Sequence, residues 1–318
     1  MSEIPPARLA IAVIFLIIPA VSGGSLPLLH YFLPAAIVSL LSGSDRAAFI
    51  MTAASMAGMV LAITTARPAG MPLIVENTGL AFIILHAERH GYSGPVAMLT
   101  GTLFLISTVI VSLSLMSDGG FNNAIQAITA ELANSLDRSF AEYQSAGNGA
   151  LPPEATIWFE QIKKSITAFF PGITGCSLGA AAMSNVMLTR YWTKKHYQKE
   201  LLGPDFSGWQ FPDWLIWLFI VSAASALFGD AAIESAGRNG LLVTGFLYLI
   251  QGVSLIQYYF QVIKCPVYIR WLTWLVLGLQ WYGMVIISAF GIACTWFDIR
   301  GFIDKKFGDD SKKETGSE

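Results

Sequence analysis

Five long apolar segments constrain what this chain can fold into more than any other feature. Each has at least 20 residues and no charged side chain, and they occupy positions 47–66, 93–116, 169–189, 240–263 and 272–297. About 20 apolar residues in a helix are enough to cross the roughly 30 Å hydrocarbon core of a bilayer. Only 13% of the residues are charged and the mean hydropathy is +0.58, whereas soluble domains have about 25% charged residues. The sequence therefore predicts an all-α, polytopic membrane protein.

The number of crossings depends on how the shorter apolar segments are counted. Between positions 9 and 297 the sequence contains eight or nine apolar segments separated by charged joints. Segment 9–22 has only 14 residues, the sequence GGSLP follows it, and Pro34 interrupts segment 28–41. Because glycine and proline interrupt helical hydrogen bonding, both segments are predicted to be short or kinked helices. We expect a bundle of about eight or nine transmembrane helices.

The polar stretch 117–168 is predicted to form an amphipathic helical hairpin. Its apolar residues recur at steps of three or four, as on one face of a helix; they are Phe121, Ile125, Ile128, Leu132, Leu136, Phe140 and Tyr143. A turn and a second amphipathic helix with Trp158 and Ile162 follow. The expected organisation is N-terminal transmembrane helices at 1–116, the extramembrane hairpin at 117–168, C-terminal transmembrane helices at 169–300 and a disordered polar tail at 301–318.

The distribution of Lys and Arg predicts which side of the membrane each joint faces, because cytoplasmic loops are enriched in these residues. The joints around Arg46 and Arg89, the segment RYWTKKHYQK at 190–199 and the joint 264–270 are expected inside, and the hairpin outside. Nine crossings then place the basic tail outside as well, which conflicts with the same rule. Either the region 9–42 crosses only once, or one apolar segment is re-entrant; the sequence leaves both open.

A carboxylate and an amide lie in the middle of the apolar segment GMPLIVENTGLAFIIL. In a helix that begins at position 71, Glu76 lies about 8 Å along the axis, too far in to count as a helix end. An ionised carboxylate inside a membrane helix costs about 2.5–3.5 kcal/mol on insertion scales. Glu76 must therefore face a partner or a cavity, or be protonated.

We predict a ligand-binding pocket lined by Glu76, Asn77, Asn185 and Gln251, the polar residues within apolar segments. The alternative for Glu76 is a protonated side chain that is hydrogen-bonded between helices, with His30 or an amide as partner. For Gln251 the alternative is a hydrogen bond that joins neighbouring helices, worth roughly 0.6–2 kcal/mol.

The sequence contains no pattern typical of an enzyme, and we expect no catalytic residue, metal or cofactor. A phosphate-binding loop, a dinucleotide fingerprint, a nucleophile elbow and paired cysteines are all missing from the sequence. His86 and His90 have a spacing used in zinc sites, but the glutamate that directly follows the first histidine in metalloproteases is missing. The net charge of −2 gives no reason to expect a nucleic acid partner. The expected partners are the lipid bilayer and either a small molecule or other membrane proteins.

Two further groups of residues are assigned structural or interface roles. Gly175 and Gly179 lie four residues apart in segment 169–189, where small residues let helices approach closely. Asp298 and Arg300 follow the last apolar segment and point in different directions on a helix, so they are not expected to pair. For Arg300 the sequence favours anchoring at the membrane surface, where arginine interacts with anionic head groups.

Three segments in the second half of the chain carry a resemblance. FPDWLIWLF, LYLIQGVSLIQYYF and FGIACTWFDIRGF, in this order after the polar stretch, resemble the bacterial YybS-like integral membrane family. The positions concerned are Pro212, Trp214, Gln251, Gly252, Gly291, Asp298 and Arg300. The resemblance implies a multi-pass protein of the bacterial inner membrane and a distant similarity to the substrate-binding S-components of energy-coupling-factor transporters.

The sequence is therefore consistent with two functions. A small-molecule binding or transport component needs a polar cavity that reaches Glu76. A non-catalytic membrane scaffold predicts tight packing around Glu76 and an exposed apolar stripe on the helix 121–143.

Overall fold

The chain folds mainly into helices joined by turns and short extended segments, over the residues that the computed structural model describes, namely 5–22, 27–42, 44, 46–65, 70–117, 120–146, 153–197, 202, 203 and 205–308. Within them there are twelve α-helices and no β-strand, as predicted. The helices are α1 (Pro6–Ser22), α2 (Pro27–Leu41), α3 (Ala47–Thr64), α4 (Gly70–His90), α5 (Gly94–Met116), α6 (Gly120–Ala146), α7 (Pro153–Tyr197), α8 (Leu215–Phe228), α9 (Ala231–Val262), α10 (Val267–Leu279), α11 (Trp281–Ala293) and α12 (Ile299–Ile303). The break predicted at 23–27 lies outside the described residues, except that α2 begins with Pro27.

Among the described residues, five helices are long and apolar enough to cross a membrane: α3, α4, α5, α7 and α9. The pair α10 and α11 would add a sixth span if it crosses as one unit, although it bends by 108° at its break. The helices α1, α2 and α8 are apolar but have 17 residues or fewer. The polytopic helical bundle is thereby confirmed. The eight or nine predicted segments correspond to the five or six long spans and the three short helices.

Helix α3 illustrates why the molecule needs a lipid environment. The face formed by Met51, Ala54, Gly58 and Ala62 is buried. The opposite face is just as apolar and remains exposed; it consists of Phe49, Met56, Val60 and Ile63. A helix that is hydrophobic all round is typical of a membrane span, because exposed apolar side chains of this kind are compatible with acyl chains and not with water.

The described helices group into two compact units. The first comprises Met1–Ile83 and Gly101–Asn185, and the second comprises Ile84–Thr100 and Val186–Glu318. This division differs from the expected sequence of 1–116, 117–168 and 169–300, because α4, α5 and α7 each contribute residues to both units.

The predicted hairpin is formed by α6 and the first part of α7, within the first unit. The rings of Phe140 and Phe159 stack at 4.0 Å between centroids, and Lys163 Nζ donates to Asp137 Oδ1 at 2.8 Å. The second hairpin helix does not end before the membrane segment as the domain boundary at 168 implies. It continues through Pro171 to Tyr197 as one helix of 45 residues. At about 1.5 Å per residue this helix is about twice as long as the bilayer core is thick, so we expect the hairpin to project out of the membrane.

In the second unit, α9 packs between α8 and α11, and glycines permit its close approach to α11. A Cβ atom at Gly252 would overlap the backbone oxygen of Ile287, and one at Gly291 would overlap that of Tyr248. Gly237 allows a similarly close contact with the backbone of Ala226 in α8. Small residues at such crossings are typical of membrane helices, where close backbone packing contributes most of the attraction.

The polar tail is helical at its start rather than disordered from position 301. Helix α12 is followed by a π-helical turn, Asp304–Gly308. Two contacts hold this turn against α9: Tyr258 Oη donates to Asp304 Oδ1 at 2.6 Å, and the rings of Tyr259 and Phe307 lie 5.6 Å apart. The rest of the predicted tail, 309–318, lies outside the described residues.

Candidate functional site

A cavity of about 230 Å³ lies within the first unit and is lined by residues of α2, α4, α5 and α7. Its lining residues are His30, Tyr31, Pro34, Leu73, Glu76, Asn77, Leu80, Leu105, Leu178, Ala181 and Asn185. Most of this wall is apolar, and its polar groups come from α2, α4 and α7. Three of the four predicted pocket residues thus line one cavity.

Glu76 is half-buried and lines the cavity. Among the described residues, no backbone or side-chain group hydrogen-bonds or pairs with its carboxyl group. The alternative of a glutamic acid hydrogen-bonded between helices lacks the bond it requires, although His30, Asn77 and Asn185 line the same space. A carboxyl group in this position needs either a proton or a cationic ligand to compensate for its loss of water.

Asn77 is 6% exposed, and one of its amide N–H groups bonds within its own helix. Its Nδ2 donates to the Leu73 backbone oxygen, one turn earlier, at 2.7 Å. A primary amide has both a donor and an acceptor end. One of its two N–H donors is used by Leu73, so the carbonyl oxygen and the second N–H remain for a ligand, and the carbonyl oxygen is the acceptor among them.

His30 contributes a polar group that the sequence suggested only as a partner for Glu76. Its side chain is 7% exposed, and Nε2 lies 2.7 Å from Ser22 Oγ of α1. The other ring nitrogen, Nδ1, is buried without a hydrogen-bond partner among the described residues. A histidine in an apolar helix, four residues before Pro34, is the sequence signal that could have placed it in the site.

Asn185 lines the cavity, but its amide serves the backbone of α2. Its Oδ1 accepts from the Ala35 backbone N–H at 2.8 Å, and its Nδ2 donates to the Tyr31 backbone oxygen at 2.8 Å. Ala35 N–H and Tyr31 C=O are four residues apart and would bond to each other in a regular helix. The side chain is therefore inserted into the hydrogen-bond ladder of α2, next to Pro34, where proline disturbs the helix.

Gln251 belongs to the second unit and is not among the residues that line the cavity. Its Oε1 accepts from the Phe211 backbone N–H at 2.9 Å, and its Nε2 donates to the Gly291 backbone oxygen at 2.9 Å. Both ends of this 3% exposed amide are satisfied by backbone. Gln251 thus joins α9 to α11 and to the extended segment before α8, in agreement with the alternative reading of this residue as a link between elements.

Arg300, for which the sequence favours anchoring at the membrane surface, hydrogen-bonds inside the second unit. Its Nη2 donates to the Trp209 backbone oxygen at 2.8 Å and to Ser254 Oγ at 2.9 Å. Asp298 does not pair with it in the structure; its Oδ1 accepts from the Gly301 backbone N–H and so caps α12. These contacts show that the guanidinium joins α12 to α9 and to the segment before α8, and anchoring of Arg300 at the membrane surface stays a prediction.

The remaining residues that the sequence singled out, two glycines and two histidines, are packed against their neighbours. Gly175 and Gly179 are buried on one face of α7. His86 and His90 stack at 4.0 Å between ring centroids. Within the described residues, no group of three or more His, Cys, Asp or Glu side chains could hold a metal ion.

Comparison with known proteins identifies a family for nearly the whole chain. A family model described as a predicted membrane protein (DUF2232) matches residues 9–293. No curated protein and no solved structure matches the chain.

Proposed function

The chain belongs to this family of predicted membrane proteins, and we propose that it is a small-molecule binding or transport component whose site is the Glu76 cavity. The observation that supports this function is the Glu76 carboxyl group, which lines a cavity of about 230 Å³ and has no partner among the described residues. Ionisable residues within membrane helices are costly and are typical of substrate or ion pathways.

The role that we propose is binding without catalysis. Within the described part of the chain, the lining contains no serine, threonine, cysteine or lysine that could act as a nucleophile. The apolar wall and the few polar groups agree with a ligand pocket, in which polar groups fix the orientation of a mostly apolar molecule. A role like that of the S-components, in the inner membrane of a bacterial cell, fits both the resemblance of the sequence and this cavity.

Purification in mild detergent, followed by mass spectrometry of the extracted small molecules, tests this function. We expect the wild-type protein to carry a metabolite that Glu76→Gln loses, because the substitution removes the charge and keeps the size of the side chain. Glu142→Gln, on the exposed face of α6, is the matched control and should retain the metabolite. Equal small-molecule content in all three proteins would contradict the proposal.

The second candidate function is a membrane scaffold, and the hairpin provides the observation that favours it. The apolar residues of α6 from Phe121 to Phe140 are half-buried, but Tyr143 is exposed. Ile157, Trp158 and Ile162 of α7 are more than half exposed outside the apolar segment. A stoichiometric protein that co-purifies with the wild type and is lost in a Trp158→Ser variant would favour this function over ligand binding.

A further inference from the structure

Glu76, Asn77 and the backbone of α2 present hydrogen-bond acceptors to the cavity, and from this we infer that its ligand is a protonated amine with a small apolar body. This inference rests on the proposed binding function and adds the chemical class of the ligand. The carboxyl group of Glu76 and the carbonyl oxygen of Asn77 are both acceptors, and both residues line the cavity. Among the described residues that line the cavity, there is no lysine or arginine that could bind an anion.

The backbone of α2 adds a further acceptor beside these groups. Pro34 has no N–H group, so the His30 carbonyl oxygen, four residues earlier, loses its usual helical donor. His30 Nδ1 is buried in the same wall without a partner among the described residues, and it accepts a hydrogen bond whenever the proton is on Nε2. A primary ammonium group has three donors and one positive charge, which matches this set of acceptors.

The shape and lining of the cavity favour an organic cation over a metal ion. Hard cations require many oxygen ligands, about six to eight for Ca²⁺, whereas the described side chains here offer one carboxyl group, one available amide oxygen and the Tyr31 hydroxyl. The rest of the wall is apolar, with Pro34, Leu73, Leu105 and Leu178 among its residues. At about 230 Å³, the space is smaller than the roughly 300–1,000 Å³ of pockets for drug-sized ligands. A short alkyl chain or a single ring therefore fits the wall.

Calorimetric titration of the detergent-purified protein with matched probes tests this class of ligand. Benzylamine, benzyl alcohol and benzoate share one ring and differ in charge, and butylamine, 1-butanol and butyrate form a smaller set. We expect the amines to bind most tightly and the carboxylates least. Glu76→Gln should weaken amine binding about ten- to hundred-fold, as for the loss of a hydrogen bond to a charged group, and should leave the alcohols nearly unchanged. Glu142→Gln serves again as the control.

The outcomes separate this inference from the function on which it rests. If the alcohols or carboxylates bind as tightly as the amines, or if Glu76→Gln keeps the preference for amines, the cavity binds small molecules but the ligand class is wrong. If none of the probes binds but the wild type still carries a metabolite that Glu76→Gln loses, the ligand class is wrong and the binding function stands; if there is neither probe binding nor such a metabolite, both proposals fail. Partition of the probes into detergent is common to all variants, so the differences between variants report the site.

A protonated amine can reach this cavity as a free solute or as the head group of an ethanolamine phospholipid. Repeating the benzylamine titration in phosphatidylcholine nanodiscs, with and without phosphatidylethanolamine, distinguishes the two sources. Weaker benzylamine binding in the presence of phosphatidylethanolamine identifies the lipid as the occupant. Equal binding in both nanodiscs identifies a free amine.

Discussion

Polar side chains among the apolar helices of this protein have two different roles. Asn185 and Gln251 are hydrogen-bonded at both ends to backbone groups, so their amides complete the backbone at places where helices are interrupted. Glu76 and Asn77 instead present acceptors to a cavity. A side chain whose capacity is used by the backbone has little left for a ligand, which is why the candidate site centres on α4.

The amide of Asn185 makes a testable contribution to stability. Replacing it by leucine leaves Ala35 N–H and Tyr31 C=O without their present partner. An unsatisfied buried polar group costs about 1–3 kcal/mol. We therefore expect Asn185→Leu to lower the free energy of unfolding by about this amount, measured as reduced thermal stability in detergent.

Ser184→Ala is the matched control for this substitution. Ser184 Oγ donates to the Ala180 backbone oxygen within its own helix, so no other element loses a hydrogen bond when it is removed. Its effect should stay within about 0.5 kcal/mol, as for most substitutions that remove no special contact. If Asn185→Leu lowers the free energy of unfolding as little as Ser184→Ala does, the prediction is wrong. Ala35 N–H and Tyr31 C=O would then be hydrogen-bonded without the Asn185 amide.

How far the role of a single residue can be predicted depends on how far away in the chain its partners lie. The position of Glu76 inside an apolar segment was sufficient to predict that it needs a compensating environment. The role of Asn185 was not predictable, because its partners in α2 are 150 and 154 residues away in the chain. No local sequence pattern indicates which helix a side-chain amide will hydrogen-bond to.

At the level of elements, the crossing of α9 and α11 depends on the absence of side chains at two glycines. A methyl group at Gly252 would overlap the Ile287 backbone oxygen, which cannot move without its helix. Overpacking of this kind typically costs about 1–3 kcal/mol. We expect Gly252→Ala to destabilise the protein by at least this amount, measured as a lower midpoint of thermal unfolding in detergent.

The same helix provides the control for this prediction. A Cβ at Gly245 of α9 would meet nothing within 4 Å. Alanine is favoured over glycine in helices by about 0.8–1 kcal/mol, so Gly245→Ala should be neutral or slightly stabilising. A loss of stability that is equal in both variants would mean that helix propensity, and not the close crossing, determines the effect.

The sequence predicted the helices well because apolar length and periodicity are local properties. It did not predict that the second hairpin helix and the following span form one helix, because a proline such as Pro171 is more typical of the first turn of a helix than of its interior. It also assigned residues 301–308 to a disordered tail. Their helical structure depends on contacts with Tyr258 and Tyr259, which are distant in the chain.

At the level of the whole molecule, the path of the chain after α9 indicates on which side of the membrane the tail lies. Helix α11 runs antiparallel to α9, since Ile287 lies at Gly252 and the later Gly291 lies at Tyr248. The chain then turns back, because Arg300 contacts Ser254 and Asp304 contacts Tyr258.

Tyr258 is only four residues from the end of α9. The chain therefore leaves α9 at its C-terminal end and returns to that end, so we predict that α10 and α11 are re-entrant and do not cross the membrane. A re-entrant α10 and α11 removes the conflict between nine crossings and the charge rule, in which the basic tail would lie outside. The joint 264–270 is expected inside from its basic residues, and the returning chain brings Arg300, Lys305 and Lys306 to the same side.

Labelling of single cysteines with a membrane-impermeant maleimide tests this topology. The native cysteines Cys176, Cys265 and Cys294 are first replaced by serine. In spheroplasts of a bacterial expression host, Ser139→Cys in the hairpin should react at once, because the charge distribution predicts that α6 lies outside. Lys306→Cys should react only after permeabilisation, as should Lys195→Cys at the other end of α7. If Lys306→Cys instead reacts together with Ser139→Cys, then α10 and α11 form a true span, and the basic end of the chain violates the charge rule that the other joints follow.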